Sequence, residues 1–333
     1  MTQSETERDP TLRGVEKAME IIRPYVPETP LLRSEILSRA FDCDLWLKNE
    51  GVTPTFSFKL RGAANELLHA RARRTLGGIV VSSTGNLGLA VAWLARAIRV
   101  PAHVFVSDAV SAQKARLIEI HGGTVHRGGA EYDDAHMAAI AFARDNDLHL
   151  VDDGASVDIV EGGGTTALEV ARQLSDIDYC ILPIGGGSHS AGVSFVMKAL
   201  QPQARVVAVQ PEAAPVMVKS FHARQALMIP PRRNVADGLT QGESVPFTLA
   251  LLWRYLDDAW LVNDEDILAS VHTLLESAHV LTEPSGATGL AGAWTRRREL
   301  RGKRVVVILT GANATIEQLK AALATAPLVP LAG

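Results

Sequence analysis

The hydrophobic pattern between residues 78 and 152 changes period repeatedly, from short apolar runs to stretches with an apolar residue every three or four positions. It predicts strands at 78–82, 102–106, 124–126 and 149–151, separated by helices at 86–97, 112–121 and 132–145. Strands that alternate with helices of this length pair in parallel, because each helix carries the chain back across the sheet. We therefore predict a doubly wound parallel sheet in this part of the chain.

The same alternation continues on both sides of this segment. It predicts further strands at 43–48, 179–184, 205–209, 259–262 and 304–309. The matching helices are predicted at 11–22, 164–174, 191–200, 264–279, 284–298 and 314–324. Residues 211–246 are rich in proline and read as a long, partly helical excursion. The predicted fold class is therefore α/β, with two open, mostly parallel sheets that carry helices on both faces.

Length and composition limit the class of protein. The chain has 333 residues, of which 47% are hydrophobic and 21% charged, and its net charge is -4. These values predict a globular protein of about two domains and give no reason to expect nucleic acid or a membrane as a partner. The polar N-terminus resembles no targeting segment, and the two cysteines, Cys43 and Cys180, fit a reducing compartment. We expect a cytoplasmic protein.

The first candidate for chemistry is Lys59, in the stretch from Pro54 to Ala63. A turn signal precedes it and a helical pattern follows, so it is expected near a helix N-terminus, flanked by Phe56 and Phe58. A positive helix end and an apolar flank both disfavour an ammonium ion, and an uncharged lysine can form an imine with a carbonyl compound. The alternative is an ordinary surface lysine at a helix start.

Three turns at predicted strand ends add binding chemistry. The turn at 82–86 includes Ser83, Thr84 and Asn86 and offers hydroxyl and N–H groups for a carboxylate, or simply a helix cap. The glycine-rich turn at 183–192 can cradle a phosphate with backbone N–H groups. Thr310 follows the last predicted strand, at the sheet edge where α/β proteins bind ligands.

A dinucleotide-binding site is the main competitor for the glycine-rich turn. The turn comes late in the chain and lacks the GxGxxG spacing, and Gln210 stands where an acidic residue would follow the next strand. These differences argue against a nucleotide-dependent oxidoreductase. An imine-forming lysine, a carboxylate-sized turn, a phosphate cradle and a terminal hydroxyl instead suit pyridoxal 5'-phosphate (PLP), which has an aldehyde, a phosphate and a ring nitrogen.

Four motifs carry a resemblance to a known family: FSFKLRGA at 56–63, EGGGTTALE at 161–169, PIGGGSHSAG at 183–192 and EPSGATGLAG at 283–292. From about residue 12 to residue 320 the chain resembles the fold-type-II (tryptophan synthase β-like) PLP enzymes, within them the serine/threonine dehydratase and serine racemase group. The resemblance implies a large PLP-binding domain at 1–65 and 153–333. It also implies a small mobile domain at 66–152 that closes over substrate.

The resemblance also assigns roles to single residues. Lys59 would hold PLP as an imine and move the substrate's α-proton, and Thr310 would meet the pyridine nitrogen as a neutral partner that favours elimination over transamination. The other implied cofactor contacts are Phe58 and Gly238 at the ring, Asn86 at the ring hydroxyl, and Gly185, Gly186, Gly187, Ser188 and His189 at the phosphate. Ser83, Thr84 and Asn86 would hold the substrate carboxylate. Without the resemblance, His189 would be a generic polar residue of the turn.

Several positions depart from the family pattern. Leu87 stands where the dehydratases usually have histidine, and Ser188 stands where their loop has a fourth glycine. Gln210 and Val216 lie near the positions of an acidic divalent-cation site, so no metal is expected. These departures put simple L-serine or L-threonine specificity in doubt.

The function implied is PLP-dependent β-elimination of a β-hydroxy amino acid, giving a keto acid and ammonia. Open alternatives are a dehydratase of a hydroxyectoine-derived amino acid, an amino acid racemase of the same fold, and an inactive binding homologue, against which the retained Lys59 argues. Few residues follow Thr310, so an added regulatory domain is not expected and the chain fits amino-acid catabolism. A small amino acid is the expected substrate and a homodimer the expected assembly.

Overall fold

The computed structural model describes residues 8–330 apart from 84, 109, 111, 131 and 155. Its strands fall into two sheets. The strands are β1 (Leu31–Arg33), β2 (Asp44–Asn49), β3 (Ile79–Ser82), β4 (Ala102–Val106), β5 (Gly123–Arg127), β6 (His149–Val151), β7 (Tyr179–Pro183), β8 (Arg205–Pro211), β9 (Asp258–Val262) and β10 (Arg304–Leu309).

Helices connect most of these strands. They are α1 (Leu12–Ile22), α2 (Glu35–Phe41), α3 (Lys59–Arg73), α4 (Asn86–Ala97), α5 (Ala112–Ile120), α6 (Tyr132–Asp145), α7 (Val157–Gln173), α8 (Ser188–Leu200), α9 (Val216–Ala223), α10 (Pro246–Tyr255), α11 (Asp264–Ala278), α12 (Pro284–Thr295) and α13 (Ile316–Ala324). Short 3-10 turns lie at Glu50–Val52 and Asp237–Leu239.

The larger sheet has the strand order β1-β2-β10-β7-β8-β9. All its neighbouring strands run parallel except β1 and β2. Successive residues of a strand point to opposite faces, and in β8 Val206 and Ala208 join one hydrophobic core while Val207 and Val209 join the other. Because helices cover both faces, these strands are apolar at nearly every position rather than alternating with polar residues.

The smaller sheet, of strand order β5-β4-β3-β6, is parallel throughout. In β3, Ile79 and Val81 pack into a core with α3 and α4, while Val80 faces α6 on the other side. Both sheets therefore carry helices on two faces, as the hydrophobic pattern predicts. The α/β fold class with two mostly parallel sheets is confirmed.

The predicted start of one helix is wrong. The pattern places it at 164, but α7 begins at Val157, where the Ser156 hydroxyl accepts a hydrogen bond from the N–H of Ile159. The glycine run looks like a helix breaker, yet it lies inside the helix because α3 and α8 pack close against it. A Cβ atom at Gly162 would lie 2.6 Å from the carbonyl oxygen of Arg61, so these glycines serve close helix packing.

The pattern also misses α10, the helix from Pro246 to Tyr255. Proline is tolerated in the first turn of a helix, where its missing N–H would have no intrahelical partner. Leu249, Leu251 and Leu252 then bury their side chains against the larger sheet's core. The many prolines before residue 246 made the whole segment look irregular, although its last proline begins a helix.

Candidate active site

A cleft of about 1790 Å³ opens at the carboxyl ends of β3, β7 and β10. Parallel α/β sheets bind ligands at this edge, because the loops and helix N-termini that follow the strands meet there. Every predicted site residue that the structure describes lines the cleft. These residues are Phe58, Lys59, Ser83, Asn86, Gly185, Gly186, Gly187, Ser188, His189, Gly238 and Thr310. Thr84 lies outside the described residues.

Lys59 is the first residue of α3, as the turn and helix signals predict. Its segment is fastened to the end of β10, since the N–H of Phe58 donates to the carbonyl oxygen of Thr310 over 3.0 Å and Ser57 pairs with Gly311. Phe58 supplies the apolar flank, with its ring centroid 5.2 Å from the lysine nitrogen. Phe56 is 51% exposed, so it does not shield the lysine.

The nearest partner of Lys59 is a carboxylate. Lys59 Nζ forms an ion pair with Asp153, which lies in the connection between β6 and α7. The hydroxyl of Ser188 donates to the other carboxylate oxygen of Asp153 over 2.9 Å. Lys59 therefore has a carboxylate in contact, which its apolar flanks alone do not predict. Asp153 is absent from the predicted set because ninety-four positions separate it from Lys59 in the chain.

A buried network of charged residues holds the first turn of α3. Arg61 is 1% exposed, and its guanidinium donates to both oxygens of Glu50 and both oxygens of Glu169 over distances from 2.6 to 3.1 Å. Lys48 Nζ also donates to Glu169, over 2.8 Å. Burial alone would raise the pKa of Glu169, but Arg61 and Lys48 outweigh burial and lower the pKa to about 2. The network fixes the helix turn that carries Lys59.

The glycine loop at 185–187 joins β7 to α8. Gly187 has a φ of +93°, a left-handed conformation that glycine adopts without strain. A Cβ atom there would also lie 2.9 Å from the Thr248 hydroxyl, which donates to the carbonyl oxygen of Gly186. The first N–H groups of a helix have no intrahelical partner and carry the positive end of its dipole. The loop is therefore shaped to receive an anion such as a phosphate.

The His189 side chain is buried rather than exposed in the turn. Its ring stacks on Phe58 with centroids 4.1 Å apart, and its Nε2 lies 3.2 Å from the Thr166 hydroxyl oxygen. Burial, helped by the positive charges of Arg61 and Lys59, lowers the pKa of His189 to about 3, so the imidazole is neutral. Its Nδ1 has no hydrogen-bond partner among the residues that the structure describes. A buried polar atom without a partner in a binding cleft is consistent with a bound group that supplies one.

Asn86 begins α4, and both ends of its side-chain amide are engaged. Its Nδ2 donates to Glu283 over 2.6 Å, and its Oδ1 accepts from the side chain of Asn313 over 2.7 Å. The Ser83 hydroxyl accepts from the N–H of Gly85, so it shapes the turn before α4. The carboxylate-sized turn and the end of the last strand therefore meet at Asn86.

Glu283 is a cleft residue that has no predicted role. It precedes α12 and is buried, and its carboxyl accepts the hydrogen bond from Asn86. Burial raises the pKa of Glu283 to about 7, although the hydrogen bond from Asn86 opposes the shift. Such a group can hold or release a proton near neutral pH. The sequence marks Glu283 only as the glutamate just before Pro284. It does not show the contact with Asn86, which lies 197 positions away.

Gly238 and Thr310 complete the cleft wall. The N–H of Gly238 donates to the Ser285 hydroxyl over 3.1 Å, which fixes the turn after the proline-rich segment. Thr310 follows β10 and is 4% exposed, with its backbone carbonyl bound to Phe58. The chain thus brings a lysine, a neutral hydroxyl, a glycine loop and an amide to one cleft.

The chain matches the family model described as "Pyridoxal-phosphate dependent enzyme" over residues 22–311. This chain belongs to the pyridoxal-phosphate dependent enzymes. The cofactor is therefore PLP, and the fit of the cleft agrees. The glycine loop leaves room for a phosphate, Lys59 lies within the same cleft, and no described residue binds the His189 Nδ1. The family resemblance read from the four motifs is confirmed.

The similar proteins indicate which kind of pyridoxal-phosphate dependent enzyme this is. L-threonine ammonia-lyase of Thermotoga maritima is 29% identical over 93% of this chain and 77% of its own length. L-threo-3-hydroxyaspartate ammonia-lyase of Saccharomyces cerevisiae is 28% identical over 93% of this chain and 95% of its own length. Maize serine racemase has a similar structure, with a TM-score of 0.89 and 27% identity over 95% of this chain and 98% of that one. The protein is a PLP-dependent lyase of the ammonia-lyase type, and the fold-type-II architecture is confirmed.

Within the described residues, no helix is long and apolar enough to cross a membrane. In the same part of the chain, no group of three or more histidine, cysteine, aspartate or glutamate residues is arranged to hold a metal ion. Gln210, which stands near the family's cation site, accepts hydrogen bonds from the N–H groups of Met217 and Val218, each over 3.1 Å. The oxygen of its side chain therefore caps the first turn of α9.

We expect EDTA to leave the activity of the purified enzyme nearly unchanged. The reason is that Gln210 and Val216 are fully buried and offer no carboxylate where an acidic cation site would lie. Turnover should be measured before and after dialysis against EDTA, and again after addition of magnesium. A large loss that magnesium restores would contradict this prediction.

Proposed function

We propose that the protein eliminates water from a β-hydroxy α-amino acid. Loss of the α-proton and the β-hydroxyl group releases water, and hydrolysis of the dehydrated product consumes water. The net products are a 2-keto acid and ammonium. One observation carries the proposal: Lys59 and the glycine loop line the same cleft, so an amine that can join an aldehyde lies in one cleft with a loop suited to a phosphate.

The proposed roles follow from position and chemistry. PLP, when bound, withdraws electrons from the α-carbon of the substrate and makes its proton removable. Lys59 would hold the cofactor and accept the α-proton on Nζ, and the loop from Gly185 to His189 would hold the phosphate. Phe58, Gly238 and Asn86 would contact the ring, and Ser83, Thr84 and Asn86 would hold the substrate carboxylate. Thr310 would offer the ring nitrogen a neutral hydroxyl, which would favour elimination.

We further propose a substrate side chain without a second carboxylate. Among the described residues that line the cleft there is no arginine, and its two lysines face acids: Lys59 pairs with Asp153 and Lys114 with Asp237. A second carboxylate on the substrate would lie near these acids, with no arginine or unpaired lysine of the described cleft to bind it. Placing an unpaired charge in a cleft costs binding free energy. Serine- or threonine-like and cationic side chains fit this charge pattern better than an acidic one.

A panel of amino acids tests both proposals. The purified enzyme with PLP should release keto acid and ammonia in equal amounts from at least one neutral or cationic β-hydroxy amino acid. We expect kcat/KM for threo-3-hydroxyaspartate to be lower than for that substrate by about tenfold or more. A preference for hydroxyaspartate would contradict the charge argument, and racemisation without keto acid would favour the racemase alternative.

The organisation of the molecule is also proposed. Residues 66–152 contain all strands of the smaller sheet and would move as one unit over the substrate, while 1–65 and 153–333 hold the cofactor. We propose a cytoplasmic enzyme, since the two cysteines, Cys43 and Cys180, are free and buried, as is usual in a reducing compartment. A homodimer is proposed from the family resemblance, and the size of the particle in solution tests it.

A further inference from the structure

Asp153 contacts the residue on which the proposed chemistry depends. One oxygen of its carboxylate pairs with Lys59 Nζ, and the other accepts a hydrogen bond from the Ser188 hydroxyl over 2.9 Å. Three parts of the fold meet at this carboxylate: the first residue of α3, the first residue of α8 and the connection from β6 to α7. Since both oxygens are engaged, the carboxylate is held in one orientation against the lysine.

We propose that Asp153 is a positioning residue for Lys59. Its carboxylate accepts an N–H hydrogen bond from Nζ whenever that nitrogen is not joined to the cofactor, and Ser188 keeps the carboxylate in place. The inference rests on the proposed function, in which Lys59 moves the α-proton. It adds Asp153 as a residue that positions Nζ for the proton transfer. It also separates two roles of Ser188: the hydroxyl holds Asp153, and the backbone N–H belongs to the phosphate loop.

The physical reason is the change of charge on the lysine. When Nζ takes the α-proton, the C–H bond of the substrate breaks, an N–H bond forms, and the neutral amine becomes an ammonium ion. Asp153 remains a carboxylate throughout, and an opposite charge in contact favours the charged form of its partner. The hydrogen bond also fixes the direction of Nζ. An asparagine keeps the shape but loses the charge, so proton transfer should become slower.

The lysine can be probed first without turnover. The full-length, cofactor-free protein is treated with formaldehyde and cyanoborohydride at neutral pH, and methylation of each lysine is followed by peptide mass spectrometry. Only an uncharged amine attacks formaldehyde, so the ion pair protects Lys59. We expect Asp153→Asn to label Lys59 at least about threefold faster than the wild type, because the favouring charge is gone.

Two controls make this measurement specific. Asp152→Asn changes the adjacent carboxylate, which accepts a hydrogen bond from the N–H of Gly154, and this variant should label Lys59 at the wild-type rate. Lys48 is fully buried and paired with Glu169, so it reports opening of the structure. Faster labelling of Lys48 together with Lys59 would mean that the variant loosens the fold, and the positioning role would be overturned.

The second measurement uses the enzyme loaded with PLP. Asp153→Asn should lower kcat by about tenfold, and the isotope effect with an α-deuterated substrate should rise as proton transfer becomes rate-limiting. Ser188→Gly keeps the backbone N–H. It should also lower kcat and raise the isotope effect, but by less than Asp153→Asn does. An unchanged isotope effect and an unchanged labelling rate in Asp153→Asn would overturn the inference. The proposed function would stand in that case, provided that Lys59→Ala is inactive.

Discussion

Replacing Lys59 by alanine should remove turnover entirely and leave the fold intact. No other lysine of the described cleft can take its place, because Lys114 lies on α5 and pairs with Asp237. The side chain of Lys59 is partly exposed at a helix start, and its loss leaves no buried cavity of the size that a core residue leaves. We expect a fall in kcat of at least about 10⁴-fold, since both proton transfer and covalent attachment are lost.

The matched control is Lys114→Ala, which removes a second cleft lysine. It should keep the visible absorbance of lysine-bound PLP, whereas Lys59→Ala should lose it and release the cofactor on dialysis. Circular dichroism and thermal unfolding establish that both variants are folded. Activity that survives in a folded Lys59→Ala protein would remove this lysine from the chemistry.

Replacing Arg61 by methionine should have the largest effect on stability. The change keeps most of the side-chain volume but leaves Glu50 and Glu169 buried with fewer cationic partners. Removing one member of a buried ion network costs about 3–5 kcal/mol in the free energy of unfolding. Urea unfolding monitored by tryptophan fluorescence measures the change. Arg71→Met, an exposed position on the same helix, should stay within about 0.5 kcal/mol of the wild type.

The same network gives a pH dependence with a definite sign. The pKa of Glu169 in the folded protein is about 2, below its ordinary value of 4.5. A depressed carboxyl pKa contributes stability above the ordinary pKa, and this contribution is lost as pH falls through the folded pKa. The unfolding free energy should therefore drop as the pH falls from about 4.5 toward 2, and the drop should be smaller in Arg61→Met. Equal acid sensitivity of the two proteins would contradict this account of the network.

Most of the fold can be predicted from the sequence because each unit is local. An apolar strand, a turn and an amphipathic helix follow one another within about 25 residues, and parallel pairing follows from their order. The predicted start of α7 is wrong because a tertiary contact outweighs the local preference of glycine. The glycines near Gly162 look like a helix end, but they allow α7 to pack against α3 and α8.

The candidate site also contains residues that the sequence pattern marks and residues whose roles depend on distant contacts. Lys59, the loop at 185–187 and Thr310 stand at strand or helix ends that the pattern itself marks, so their convergence follows from the sheet order. The roles of Asp153 and Glu283 do not follow from the pattern, since their partners lie 94 and 197 positions away along the chain. The buried state of His189 also depends on Phe58, far from it in sequence. Contacts of this kind require the three-dimensional structure.

One measurement tests the central claim most directly. The purified protein is incubated with PLP, reduced with borohydride and digested, and the modified peptide is identified by mass spectrometry. Borohydride fixes PLP to the lysine that carries it and removes the visible absorbance of that linkage. The account predicts one modified site, Lys59, at close to one PLP per chain. Modification of a different lysine, or no fixed cofactor in a protein that turns over its substrate, would contradict it.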